Sequence, residues 1–228
     1  HLSATALKNE KGIYWPFKDE VYLGLAHGAS GISLFFLYLY LATRDEQYLD
    51  LGKKTLDFDL NNGEENLDGG ISWREYLAGP PILYPYWRYG SAGVGSAVLR
   101  YWKLLGENRY QELLEKIYVD TDRKYAVFPG YFTGLAGLGD FLLDLHLFTQ
   151  QDRYLESAYK VASGLLLSKI EKPNGSAFPG NGLARISCDY GTGSAGVGLF
   201  FHRLHTHDVG SFMLDELFIE IERIQYLA

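Results

Sequence analysis

The sequence predicts an all-α protein that is built from repeated helical hairpins. Three observations support this fold class: a glycine, two residues and a second glycine recur four times, an apolar stretch of helical length follows each copy, and a polar turn then leads to an amphipathic stretch. The four copies start at Gly28, Gly90, Gly134 and Gly193. Hairpins repeated in this way stack side by side and share one continuous core.

The first repeat shows the parts that we expect in every hairpin. Residues 32–42 are apolar on almost every side, and a break at residues 43–45 separates them from the amphipathic residues 46–60. Glycine suits the turn before the first helix because it accepts positive φ and lets two backbones approach closely. The pattern therefore predicts an inner ring of buried helices and an outer ring that is half in solvent.

The other repeats follow in the same order along the chain. Their expected inner helices cover residues 94–105, 138–148 and 196–205, and their expected outer helices cover residues 109–119, 152–170 and 211–226. Residues 61–85 and 171–184 have the glycine and proline pairs of loops, and a short β-ribbon is predicted in each. Residues 1–21 have mixed charge and no long helical period, so we expect a leading strap before a repeat domain at residues 22–228.

The composition narrows the classes of protein that fit. With 228 residues, 47% of them hydrophobic, the chain can bury one sizeable core. A net charge of −7 argues against nucleic acid or an anionic membrane as a general partner. Cys188 is the single cysteine, so no internal disulfide can form, and the longest apolar run, residues 32–42, is well short of the ~20 residues that span a bilayer. These features predict a cytoplasmic protein with no membrane span.

The glycine turns indicate where a functional site would lie. Stacked hairpins bring all their glycine turns to one end, so the residues just before the first glycine of each copy should line one common mouth. These residues are His27, Tyr89, Thr133 and Thr192, and the residues one place further back are Ala26, Arg88, Phe132 and Gly191. A cavity ringed by an imidazole, a guanidinium and phenols can bind and protonate an anionic intermediate.

At these residues the chain resembles the LanC-like lanthipeptide cyclases. That family carries Gly-Leu-Ala-His-Gly in one repeat, Trp-Cys-x-Gly in the next and Cys-His-Gly in the one after. The matching stretches here, in the same order, are Gly24-Leu25-Ala26-His27-Gly28, Trp87-Arg88-Tyr89-Gly90 and Phe132-Thr133-Gly134. The resemblance implies an α/α toroid, or barrel, of seven helical pairs, of which this chain would hold the last four as a partial toroid.

The chain departs from the family at the zinc ligands, which are two cysteines and a histidine. The matching positions hold Arg88, Phe132 and Thr133, and none of these can replace a thiolate or an imidazole at zinc. The resemblance is therefore closest to the zinc-free cyclase domain at the C-terminal end of class III lanthipeptide synthetases, which follows a lyase-like domain and a kinase domain. It implies no metal and no other cofactor.

The resemblance implies an enzyme that adds cysteine thiols to dehydroalanine or dehydrobutyrine in a precursor peptide, forming lanthionine or labionin rings. Its partners would be that ribosomally made peptide and the lyase and kinase domains of the parent synthetase. His27 matches the family's catalytic histidine and would shuttle the proton, since an imidazole titrates near neutral pH. Arg88 would stabilise the thiolate, while Tyr89 and Asp189 would hold the imidazole or the peptide.

Other interpretations remain open at this point. His27 can instead cap a neighbouring helix, and Arg88 can form a salt bridge with an acidic loop residue. A toroid that has lost zinc can also be a non-catalytic scaffold that binds precursor peptide for the kinase and lyase domains. A carbohydrate enzyme would need two acids facing each other across the cavity, and the glycine turns supply only Asp189. Residues 191–196 fit Gly-x-Gly-x-x-Gly, but no βαβ unit surrounds them, which argues against dinucleotide binding.

Overall fold

The computed structural model describes residues 2–207 and 214–218, and it is mostly helical. Three helical hairpins and a fourth inner helix follow one another along the chain. The inner helices are α2 (Ala29–Thr43), α4 (Ser91–Leu105), α6 (Leu135–Thr149) and α8 (Ser194–Thr206). The outer helices are α3 (Glu46–Leu60), α5 (Asn108–Thr121) and α7 (Asp152–Leu165). The predicted outer helix at residues 211–226 lies largely outside the described residues.

Each of the first three inner helices has fifteen residues and ends in the same way. Their C-caps are Arg44, Gly106 and Gln150, which all adopt the left-handed conformation, with φ of 61°, 64° and 57°. Each cap donates its backbone N–H to the carbonyl four residues earlier, over 2.7 to 2.8 Å. This turn satisfies a helix-end carbonyl and sends the chain back into the outer helix.

The predicted division into buried inner and amphipathic outer helices is confirmed. In α4 and α6, residues 91–101 and 135–145 are all buried. The inner helices contact one another in chain order, α2 with α4, α4 with α6 and α6 with α8, while each outer helix packs against its own inner helix. The first and last inner helices are less covered, since Phe35 and Leu199 are about half exposed.

The inner helices begin earlier than predicted. The sequence placed their starts at residues 32, 94, 138 and 196, whereas in the structure the first glycine of each copy is the N-cap and the small residues after it form the first helical turn. The second glycine is therefore inside the helix. The third outer helix is shorter than predicted: it ends at Leu165, a 3-10 turn covers Leu166–Ser168, and Ile170 begins a strand.

In the described part of the chain, three two-stranded antiparallel ribbons lie outside the helical hairpins. The first, β1 (Leu7–Asn9) with β2 (Gly12–Tyr14), packs on α3, where Tyr14 stacks on Phe58 with ring centroids 4.4 Å apart. A four-residue helix, α1 (Leu2–Thr5), precedes it. The two predicted ribbons are present as β3 (Glu64–Glu65) with β4 (Ile71–Ser72), and β5 (Ile170–Lys172) with β6 (Gly175–Ala177). In the part of the chain that the structure describes, no helix is long and apolar enough to cross a membrane.

Candidate functional site

A ladder of backbone hydrogen bonds joins the four glycine turns. The Ala26 N–H donates to the Arg88 carbonyl over 3.0 Å, the Arg88 N–H donates to the Phe132 carbonyl over 2.8 Å, and the Phe132 N–H donates to the Gly191 carbonyl over 2.7 Å. These are the equivalent residues of the four repeats, two places before the first glycine of each copy. The four glycine turns therefore lie side by side in chain order, as stacked hairpins require, while a common mouth lined by their side chains stays a prediction.

The glycine pattern is required by the close approach of each turn to its own inner helix. A Cβ on Gly137, the third residue of α6, would lie 2.0 Å from the Tyr131 carbonyl oxygen. The equivalent Gly31 of α2 would place a Cβ 2.0 Å from the Leu25 carbonyl oxygen. No side chain fits at such distances, so these positions fix how closely the turn folds over the helix.

His27 lies on the first turn and is exposed. Its imidazole contacts two rings of the preceding segment, with centroids 5.9 Å from Phe17 and 5.5 Å from Tyr22. Among the described residues, it makes no hydrogen bond, so the capping role considered above does not apply in this structure. Both ring nitrogens are thus available to a ligand at the mouth.

Arg88 and Tyr89 lie on the second turn, next to His27 in the ladder. The Arg88 guanidinium lies 5.9 Å from the centroid of the Tyr89 ring, and no carboxylate in the described part of the chain forms an ion pair with it. The Tyr89 ring also contacts Tyr84 edge-on at 4.8 Å. Burial raises the pKa of Tyr89 to about 12, so its phenol remains a neutral hydrogen-bond donor at physiological pH.

Asp189 lies on the fourth turn and is held within its own loop. One carboxylate oxygen accepts the Thr192 N–H over 2.6 Å, and the other accepts hydroxyl protons from Thr192, over 2.8 Å, and from Ser187. The hydrogen bonds from Ser187 and Thr192 lower its pKa to about 2. Asp189 is thus an ionised residue that shapes the turn, and in the ladder the Phe132 turn separates it from Arg88.

Asp59, which the sequence did not single out, holds the turn that carries His27. It is fully buried near the end of α3, and one of its oxygens accepts three hydrogen bonds: from the Gly24 N–H at 3.0 Å, the Ser30 N–H at 2.7 Å and the Ser30 hydroxyl at 2.6 Å. These donors flank His27 on both sides. The sequence signal that could have identified Asp59 is a carboxylate on the side of an amphipathic helix that should be apolar.

Asp120 occupies the equivalent place in the second repeat. It lies near the end of α5 and accepts a hydrogen bond from the Ser91 hydroxyl at the start of α4. Its other oxygen accepts from Asn66, at 2.9 Å, and from Arg123, at 2.6 Å. A buried carboxylate of the outer helix therefore anchors the glycine turn in each of the first two repeats.

A chain of buried ion pairs crosses the inner helices. Arg100 of α4 and Arg203 of α8 both bind Asp144 of α6, and each binds a second carboxylate: Asp215 for Arg100, at 2.6 Å, and Asp140 for Arg203, at 2.9 Å. Burial opposes ionisation of Asp144, but the two arginines hold its pKa below the ordinary value. Since each of these arginines and aspartates has an oppositely charged partner, the ion pairs fix the register of the three inner helices α4, α6 and α8.

The comparison with known protein families agrees with this geometry. A family model described as lanthionine synthetase C-like protein matches residues 2–214. The chain belongs to the lanthionine synthetase C-like family. One relative is the probable SapB synthase of Streptomyces coelicolor, which is 27% identical to this lanthionine synthetase C-like chain over 181 residues. The match covers 76% of this chain and 18% of the relative, so the chain corresponds to a small part of that protein.

Among solved structures, the chain is similar to a family 76 glycoside hydrolase from a bovine Bacteroides thetaiotaomicron strain. The TM-score is 0.50 at 15% identity, over 85% of this chain and 44% of the hydrolase. At this identity the likeness concerns the fold alone, and it supports an α/α toroid-type arrangement of the lanthionine synthetase C-like hairpins.

The positions that match the zinc ligands of metal-dependent family members do not fit a metal ion. The Phe132 ring stacks on Trp87 with centroids 5.7 Å apart, and the Thr133 hydroxyl is buried and bonded to Asn181 over 3.4 Å. Together with Arg88, these residues supply no thiolate and no imidazole, which are the ligands that zinc has in the metal-dependent members. Within residues 2–207 and 214–218, no three histidine, cysteine or acidic side chains group as a metal site requires.

Proposed function

We propose that this domain is the metal-independent cyclase of a class III lanthipeptide synthetase, which closes lanthionine or labionin rings in a precursor peptide. The observation that carries the proposal is the hydrogen-bond ladder, because it places the His27 turn directly beside the Arg88 turn in a chain of the lanthionine synthetase C-like family. The peptide and the kinase and lyase domains of the parent synthetase are the proposed partners. In this proposal, residues 22–228 are the last four repeats of a seven-repeat toroid.

The proposed reaction has two steps that the mouth can assist. A cysteine thiol gives its proton to the exposed His27 imidazole, and the thiolate is stabilised by the nearby Arg88 guanidinium. The sulfur then attacks the β-carbon of dehydroalanine, the C–S bond forms, and the π electrons move to the α-carbon to give an enolate. His27 returns its proton to that carbon, which gives lanthionine. For labionin, the α-carbon of the enolate instead attacks the β-carbon of a second dehydroalanine, and the new enolate takes the proton from His27. The neutral Tyr89 phenol donates a hydrogen bond to the enolate oxygen.

The test uses the full parent synthetase and its dehydrated precursor peptide. Ring closure is followed by alkylation of the remaining thiols and by tandem mass spectrometry. We expect His27→Ala to slow ring closure about 100-fold, within the range of general acid–base catalysis. His205→Ala is the matched control, because His205 is exposed near the far, C-terminal end of α8 and should leave the rate unchanged.

Arg88 is tested in the same assay with two substitutions. We expect Arg88→Gln to slow ring closure about tenfold, and Arg88→Lys to retain most of the rate because it keeps the positive charge. If His27→Ala and Arg88→Gln close the same rings at the wild-type rate, the catalytic proposal is wrong.

The second candidate is a peptide-binding scaffold without catalysis. The observation that favours it is the loss of all metal-ligating chemistry at Arg88, Phe132 and Thr133, which are instead engaged in ring and hydrogen-bond contacts. A scaffold would bind the dehydrated peptide with wild-type affinity and leave ring closure at the rate of the free peptide.

A further inference from the structure

An apolar groove opens beside the mouth, between the segments that lead into α4 and α6. One wall is residues 82–86, the other is Arg123 with residues 125–127, and the volume is about 530 Å³. We call it the 82–127 groove. Tyr84, on its wall, contacts Tyr89 of the mouth ring to ring at 4.8 Å, so the groove adjoins the candidate site.

The groove presents large apolar side chains to solvent. Ile82, Tyr125 and Val127 are 50%, 65% and 64% exposed. A second cavity of about 170 Å³ shares Tyr125 and Val127 and continues to Leu167 and Leu183, so apolar surface lies on both sides of the 125–127 segment. Clustered exposed apolar residues of this kind indicate a binding surface.

The backbone of both walls carries hydrogen-bonding groups that are not used within the described residues. On one wall, the N–H groups of Tyr125 and Ala126 and the carbonyls of residues 125–127 have no partner there. On the other wall, the N–H and carbonyl of Leu83 have none. Backbone groups of this kind, beside apolar side chains, are able to form hydrogen bonds with the backbone of an extended peptide.

The charge at the edge of the groove selects the kind of peptide. The Lys124 ammonium lies 5.6 Å from the centroid of the Tyr125 ring, is exposed, and has no carboxylate partner in the part of the chain that the structure describes. Arg123 adds a second positive charge, which is fixed by Asp120 but remains partly exposed. An acidic residue in the ligand would therefore be favoured.

We propose that the 82–127 groove binds an extended, apolar stretch of the precursor peptide that carries an acidic residue, and so delivers the reacting residues to the mouth. The identity of the ligand as precursor peptide rests on the proposed function. That the groove binds a peptide is argued from its apolar walls, the unpaired backbone groups and the charge of Lys124.

The first experiment measures binding of two synthetic peptides to the full synthetase by fluorescence anisotropy. Both are fluorescein-labelled octapeptides of alternating leucine and serine, one with a central glutamate and the other with a lysine in its place. We expect the glutamate peptide to bind wild type more tightly, by about threefold, which is the size of an exposed ion pair. Lys124→Glu should reverse this preference.

The second comparison tests the apolar wall. We expect Val127→Glu to weaken binding of the glutamate peptide about tenfold, as expected for the loss of a buried valine contact and the gain of a like charge. Leu7→Glu is the matched control, because Leu7 is an exposed leucine of β1 that lines neither wall of the groove and should not change the affinity. Both sites are exposed, and equal urea midpoints verify that the variants fold.

The outcomes separate this proposal from the proposed function. If wild type and Val127→Glu bind the glutamate peptide equally well, the groove proposal is wrong, even if His27→Ala abolishes ring closure. Groove binding with a normal rate for His27→Ala supports the groove and refutes the catalytic proposal. Strong protection of the Tyr125 and Ala126 amides from hydrogen exchange in the peptide-free parent protein would show that another domain covers the groove, which also overturns the proposal.

Discussion

Asp59 gives this domain a pH-dependent stability whose size can be worked out. Burial raises its pKa from 3.8 to about 6, although hydrogen bonds from Ser30 and Gly24 oppose the change, and its second oxygen has no partner in the described structure. Between these two pH values the folded protein holds a proton that the unfolded chain has lost. Stability therefore decreases as the pH rises through this window.

The magnitude follows from the difference between the two pKa values. About two pKa units, at 1.36 kcal/mol each, correspond to ~3 kcal/mol of folding free energy that is fully present below pH 3.8 and absent at pH 7. Asp59→Asn removes the titrating group. The free energy of unfolding of wild type minus that of the variant should fall by ~2 kcal/mol from pH 4 to pH 7, because the unfolded carboxyl is already partly ionised at pH 4.

The assay is urea unfolding of both proteins at several pH values, followed by circular dichroism. All other carboxylates titrate in both proteins, so their contributions cancel in the difference. Asp50→Asn is the control, because Asp50 lies on the same helix α3 but is exposed. Parallel stability curves for wild type and Asp59→Asn would refute the reasoning.

Further predictions concern the packing of the turns and the buried charges. Gly137→Ala should lower the free energy of unfolding by at least ~2 kcal/mol, because its Cβ meets the Tyr131 carbonyl. Gly198→Ala should raise it by ~0.5 to 1 kcal/mol, because its Cβ meets no other atom and alanine favours the helix. Equal effects of the two substitutions in urea unfolding would contradict the role of the close approach. Asp144→Asn should cost ~3 to 5 kcal/mol, measured in the same way, because it leaves two buried arginines without their shared carboxylate. Asp189→Asn should leave the apparent pKa of the pH–rate profile of ring closure unchanged between pH 4 and 8, since Asp189 stays ionised throughout; a displaced profile would contradict its role in shaping the turn.

The candidate site was only partly predictable from the sequence. The spacing of the glycines is enough to assign Ala26, Arg88, Phe132 and Gly191 to equivalent positions, and the structure joins these residues in one ladder. The anchoring role of Asp59 was not predictable, because its hydrogen-bond donors lie 29 to 35 residues away along the chain. The roles of His27, Arg88, Tyr89 and Asp189 in chemistry stay predictions.

The sequence by itself determined much of the local structure of this protein: four glycine turns, the four apolar inner helices, the first three amphipathic outer helices, and the short ribbons in the two long loops. These features depend on residues that are close along the chain, so periodicity and turn residues specify them. The tertiary structure alone decided that the inner helices begin at the glycines and that Arg100 and Arg203 share Asp144. It also decided that the 82–86 and 123–127 segments enclose a groove. Such contacts join residues that are tens of positions apart, and their energies arise only when burial removes water from the groups that meet.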